Sequence, residues 1–197
     1  MWFGHPGRAV PRLVESMARK THRTAVVIIP PRTLWPPIQA IRQKYDRQLR
    51  RWMPHINLLY PFRPPEEFPA LAERLAGACR SIEPFQVQLT EFRFFHHGRE
   101  RYTLWLAPEP KSSLVRLQAA LSAVVPDCDD VSRFQGGFTP HLSVGQVRGR
   151  TKMKKLIAEL QAGWRPLGFV VREISLIWRR EPPDDVFRVA RAIRLGG

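Results

Sequence analysis

The sequence is short of cysteine, of acidic residues and of long apolar runs. Cys79 and Cys128 are its only two thiols in 197 residues, and they stand far apart in unlike contexts. That excludes a disulfide framework and a multi-cysteine metal spacing, so both read as ordinary thiols. No stretch approaches the roughly 20 uninterrupted apolar residues that a membrane helix requires. The opening Met-Trp-Phe-Gly-His-Pro-Gly lacks the apolar block of a secretory leader, so a soluble, cytoplasmic protein without a membrane partner is expected. No linker is long enough to divide independent domains. One folded unit over residues 23–197 is expected, a monomer behind a loosely attached basic arm at residues 1–22.

Two further absences narrow the chemistry. Asp127, Asp129 and Asp130 cluster around Cys128, but they fall in a polar turn without convergent ligands at a recognised spacing, so no metal site is expected. Gly136-Gly137 precedes a strand rather than a helix, which removes a glycine-rich nucleotide loop. No cofactor is expected.

What is abundant is positive charge. Lys and Arg total 32 against 17 for Asp and Glu, a formal net charge of +15 with a pI near 11.2. A field of that sign attracts polyanions and raises their encounter rate, which makes nucleic acid the first candidate partner. The plain alternative is an inert surface rich in arginine.

Along the chain, strands and helices interleave. Thr24–Ile29 is a β-branched run closed by Pro30-Pro31 and reads as a buried strand. Pro36–Trp52 carries Ile38, Ile41, Tyr45 and Leu49 at helical spacing, with a basic opposite face. A strand is expected at His55–Tyr60 and a helix at Glu66–Arg80. Phe85–Phe94 and Arg101–Ala107 form a hairpin around His96-His97-Gly98-Arg99. Leu114–Val125 is helical, Phe138–Val147 a strand, Lys152–Trp164 helical, and Phe169–Trp178 pairs as one strand with Val186–Ile193. The pattern argues for an α+β or mixed α/β fold.

The most informative feature is an internal echo. Pro54-His55-Ile56-Asn57-Leu58 and Pro140-His141-Leu142-Ser143-Val144 both read Pro-His-apolar-polar-apolar. Successive strand side chains point to opposite faces, so His55 shares a face with Asn57, and His141 with Ser143. Ile56 and Leu58, like Leu142 and Val144, anchor the opposite face. In-line displacement at phosphorus needs one group to take a proton from the attacking oxygen and another to give one to the leaving oxygen. Histidine suits both tasks near neutrality. The polar companions can donate to the non-bridging oxygens, where charge builds in the transition state. A single His-x-Ser is more often a satisfied structural histidine; the repeat, in a chain with only six histidines, shifts the balance.

On these two motifs the sequence resembles the two-histidine (2H) phosphoesterases, which include 2′-5′ RNA ligase-like proteins and cyclic nucleotide phosphodiesterases. The resemblance runs over about residues 22–195 in order of elements and implies a bilobed α+β fold, two pseudo-symmetric lobes of antiparallel sheet and helices around a cleft. It implies His55 and His141 as the catalytic pair, with Asn57 and Ser143 holding the phosphate. Asn57 departs from the family's Thr or Ser at its position. The activity implied is hydrolysis of 2′,3′-cyclic phosphates or 2′-5′ linkages without a metal, or its reversal to join RNA ends. A non-catalytic RNA-binding module on the same fold is the rival. Tyr60 and Phe138 flank the motifs as base-stacking candidates, and Arg148 follows the second motif as a phosphate contact. His96 and His97, at the hairpin tip, are read as solvated loop residues ahead of the alternative that one of them lines the cleft mouth or touches RNA.

Overall fold

Prolines punctuate the chain and set several element limits. Pro30 follows strand β1 (Thr24–Ile28), Pro36 and Pro37 open helix α1 (Trp35–Tyr45), and Pro61 follows strand β2 (Ile56–Leu59). Pro69 lies in the first turn of α2 (Phe68–Arg80), where its missing N–H costs nothing. The other elements are β3 (Phe85–His96), β4 (Arg101–Glu109), α3 (Lys111–Val124), β5 (Leu142–Arg148), α4 (Arg150–Gly163), β6 (Leu167–Val171), β7 (Glu173–Trp178) and β8 (Arg188–Arg194). This computed structural model describes residues 19–133 and 136–197. Of the expected basic arm, residues 1–18 lie outside the described residues. Lys20 and Thr21 are held to the body, Lys20 by Asp130 and Thr21 by a bridge to Phe62.

Two four-stranded antiparallel sheets form the α+β fold, in the orders β2-β1-β7-β8 and β5-β4-β3-β6. The chain repeats one pattern, strand, helix, histidine-led strand, helix, as β1-α1-β2-α2 and β4-α3-β5-α4. In each repeat the first helix crosses over: α1 packs on β5 of the second sheet, and α3 on β2 of the first. One apolar core, from Val26 and Ile56 through Leu104 and Leu142 to Ile174, runs through both lobes. A smaller cluster of Ala25, Val27, Ile177 and Phe187 covers the other face of the first sheet. Both faces of β1 are therefore buried, as its unbroken apolar run requires.

Three expectations need correction. The helix expected at Pro36–Trp52 stops at Tyr45, because Asp46 turns to extended backbone and its carboxylate takes Arg42 Nε at 2.7 Å and the Gln48 N–H at 2.9 Å. Buried Arg42 also donates to the Trp52 carbonyl at 2.8 Å, which folds residues 46–52 back on the helix. The single strand expected at Phe169–Trp178 is two strands: β6 pairs with β3, the chain leaves that sheet at Arg172, and β7 pairs with β1 and β8. Finally, His55 and His141 stand one residue ahead of β2 and β5 rather than inside longer strands.

Two local devices shape the strands that follow the histidines. The β1–β2 pairing slips so that Leu58 is an extra residue between Asn57 and Leu59, and the β4–β5 pairing slips at Val144, between Ser143 and Gly145. Each bulge falls three residues after its histidine, and such bulges re-aim neighbouring side chains. Gly145 is the second device. A Cβ on it would lie 2.5 Å from Tyr45 Cβ, so only glycine lets the end of α1 dock against β5.

Candidate active site

The Pro-His turn ahead of each strand sets its imidazole in the same way. His55 Nδ1 lies 2.7 Å from the Met53 carbonyl and His141 Nδ1 2.8 Å from the Thr139 carbonyl, in each case two residues upstream. A carbonyl only accepts, so Nδ1 carries the proton and Nε2 is left as the second, chemically active nitrogen of each ring. The rings line two cavities that share Asn57 as a wall residue. One of about 260 Å³ is bounded by His55, Asn57, Tyr60, Thr103, Ser143 and Gln146. The other, of about 470 Å³, is bounded by His141, Phe138, Phe95, His96 and His97 as well as Asn57.

Each ring is wedged by aromatics. Trp52 stacks on His55 with centroids 4.4 Å apart and 14° between planes, and its other face stacks on Phe187 at 3.8 Å. His141 meets the edges of Phe95 at 4.8 Å and Trp105 at 5.9 Å. Behind His55 lies a buried polar network. Arg42 pairs with Asp46, whose second oxygen accepts from Gln146 Nε2 at 3.1 Å, and Gln146 Oε1 accepts from the Arg47 N–H at 3.0 Å. This network ties α1 to β5 directly beneath the cleft.

The electrostatics follow from this burial. Desolvation disfavours the imidazolium and lowers His55 to about 4, against the raising effect of the Met53 hydrogen bond; the Arg42 and His141 charges push the same way as burial, and Asp46 opposes them. His141 is lowered too, by burial, with the Thr139 carbonyl in opposition. Both rings are therefore neutral at pH 7 in the free protein. An unfolded chain titrates its histidines near 6.5, so between that value and about 4 the unfolded state holds more protons at position 55. Stability contributed by neutral His55 is full above pH 6.5 and is lost as pH falls. We expect the His55 resonance in a ring-nitrogen NMR titration to move with a midpoint near 4, and stability in urea to decline below pH 6.5. A midpoint at the ordinary histidine value would show that the pocket is wet.

Of the residues singled out in the sequence, His55, His141, Asn57, Ser143, Tyr60 and Phe138 all line one or both of these cavities. Arg148 does not. It is exposed at the far end of β5, seven residues past His141, about 20 Å away at strand rise. His96 and His97 are exposed, as expected, and both border the larger cavity, where His97 Nε2 lies 2.9 Å from Thr103 Oγ1. Asp127, Asp129 and Asp130 are taken up by Arg63, Arg133 and Lys20, and among the described residues no three His, Cys, Asp or Glu side chains converge as a metal would need.

The sequence reading missed Thr103, Trp105, Phe95, Gln146 and the Arg42–Asp46 pair. Strand alternation places Thr103 and Trp105 on one face, but only the pairing of Trp105 with Ser143 reveals that the face is the cleft. Asn57 Oδ1 and Trp105 Nε1 are buried without a hydrogen-bond partner.

Matched imidazoles on two pseudo-symmetric lobes, each followed by a small polar residue, place the protein in the two-histidine phosphoesterase class. The family model of the 2′-5′ RNA ligase superfamily matches residues 30–183, and the chain belongs to that superfamily. A curated protein of Geobacillus kaustophilus, named a putative phosphoesterase, is 27% identical over 122 residues, 61% of this chain and 67% of that protein. The crystal structure of TT0787 of Thermus thermophilus shares the fold with a TM-score of 0.61 and 21% identity, covering 89% of this chain and 98% of that one. Escherichia coli LigT complexed with 3′-AMP is similar at a TM-score of 0.57 and 19% identity, over 91% of this chain and all of that one. Among the described residues no helix is long and apolar enough to cross a membrane.

Proposed function

We propose that this phosphoesterase is a phosphodiesterase of RNA ends that opens 2′,3′-cyclic phosphates or cleaves 2′-5′ linkages by acid–base catalysis between His55 and His141. The observation that carries the proposal is the matched pair of Nδ1–carbonyl hydrogen bonds, which leaves a free Nε2 on the ring at each of the two cavities that share Asn57. E. coli LigT, solved with 3′-AMP, supports a ligand with a phosphate on the 3′ side of ribose.

In the hydrolytic direction one imidazole is the base: burial keeps both rings neutral in the free protein, so its Nε2 accepts a proton from water as the water oxygen bonds to phosphorus. The other is the acid, and an anionic phosphate drawn into the cleft raises its affinity for a proton. That proton goes to the departing ribose oxygen as the P–O bond breaks. Asn57 and Ser143 hold the non-bridging oxygens, the site needs no metal ion, and Tyr60 and Phe138 offer faces to the base.

The test is product identification, with EDTA present, after incubation with 2′,3′-cyclic nucleotides and with 2′-5′- and 3′-5′-linked dinucleotides. We expect monophosphates from the cyclic or 2′-5′ substrates at a rate the chelator leaves unchanged. Tight RNA binding without turnover of any of them would favour the non-catalytic module instead.

A further inference from the structure

Five arginines at the β7–β8 end of the first sheet lie against three carboxylates. Arg50 and Arg51 share buried Asp185, Arg180 and Arg188 share Asp184, and Arg23 meets Glu181. Although burial works against ionisation, the hydrogen bonds from Arg50 and Arg51 hold the Asp185 carboxyl below its ordinary range, so both cations have an ionised partner within the protein. Arg179, next in sequence to Arg180, has no carboxylate partner among the described residues. Its Nη1 donates only to the Arg180 carbonyl at 3.1 Å, and its Nε–H is buried without an acceptor.

Its position relates this cation to the cleft. The Arg179 guanidinium carbon lies 5.6 Å from the Phe187 ring centroid, Phe187 stacks on Trp52, and Trp52 stacks on His55. The four side chains thus make one column, with a reactive imidazole at one end and an unneutralised guanidinium at the other. The charge of Arg179 is also felt at the hydroxyl of cleft-lining Tyr60, where it opposes the rise in pKa that burial imposes. A ring beneath a guanidinium fixes its plane, and a fixed fork of N–H donors matches phosphate oxygens in two-point contact.

We infer that Arg179 binds a second phosphate of the substrate chain, one or two nucleotides from the reacting one on the His55 side, so that the preferred substrate is an oligonucleotide end rather than a mononucleotide. The inference rests on the reading of the cleft as a phosphodiesterase site. It gives part of the surplus positive charge a defined place along the path of the chain, and it gives a role to an arginine that, unlike these neighbours, meets no carboxylate among the described residues.

The test compares a trinucleotide ending in a 2′,3′-cyclic phosphate with the matching cyclic mononucleotide. The parent protein favours the trinucleotide in kcat/KM by about tenfold or more, the worth of one charge-assisted contact. Arg179→Gln brings that ratio close to one, and Arg179→Lys, which keeps the charge and loses the fork, keeps part of it. A ratio that Arg179→Gln leaves intact, or a parent without length preference, overturns the inference. The ratio is insensitive to a general loss of folded protein. Calorimetric binding of a trinucleotide 3′-phosphate against a nucleoside 3′-phosphate separates the two readings. If no cyclic substrate is turned over, the hydrolytic proposal fails, and the inference stands or falls on whether Arg179→Gln abolishes the length preference in binding.

Discussion

His55→Ala and His141→Ala are each expected to lower kcat by at least about a hundredfold, the share a positioned acid or base contributes. The two imidazoles have the same local geometry and different fields, so the two losses need not be equal, but neither ring can do both proton transfers in one displacement. The double mutant is expected to lose much less than the product of the single losses, because removing one partner already idles the other. In the parent protein the rate should be bell-shaped in pH, with limbs that belong to the pair rather than to one residue. The acid limb lies below the ordinary histidine range, since burial lowers both rings. Steady-state kinetics of the variants with a cyclic nucleotide decides the matter. Normal turnover by either single variant, or a parent rate that EDTA abolishes and a divalent metal restores, would sink the two-histidine mechanism.

Asn57→Ala should cost roughly tenfold to a thousandfold in kcat, the range seen when one transition-state donor is lost. Asn57 borders both cavities, and its side-chain oxygen is buried with no partner. An amide so placed can turn its nitrogen to a phosphate oxygen and its oxygen to a hydroxyl of the substrate, two contacts that alanine loses together. Asn57→Thr keeps one donor, on a shorter side chain, and should retain much of the rate. Wild-type kinetics in Asn57→Ala, alongside an unchanged unfolding midpoint, would make the side chain a spectator.

Features carried by a few adjacent residues were legible in the sequence. The Pro-His-apolar-polar-apolar repeat needs only local alternation to be read as two matched segments, and the structure brings both to one cleft. The β-branched run at Thr24 and the hairpin around Gly98 were legible for the same reason. Features that depend on partners far along the chain were not. Nothing in Phe169–Trp178 marks Arg172 as the point where the backbone changes sheets, because both halves are equally apolar and β-prone. Leu49 continues the helical spacing past Tyr45, and only the bonds of Arg42 to Asp46 and to Trp52 show why the helix ends. Arg148 looked close to His141 because both follow the same motif, yet seven extended residues carry it out of reach. Strict alternation would set Leu59 on the His55 side; the bulge at Leu58 buries both leucines instead.

The exchange of helices and the late return of β7 to the first sheet bear on how the chain is made. During synthesis β1 and β2 emerge early, but β1 waits for β7, and α1 waits for β5. Pairings that span so much chain are slow to close and cannot form on a partial product. A chain that stops before Leu167 therefore lacks β6, β7 and β8 and has neither sheet complete. β6 closes the second sheet and β7 and β8 the first, so both walls of the cleft wait for residues 167–194.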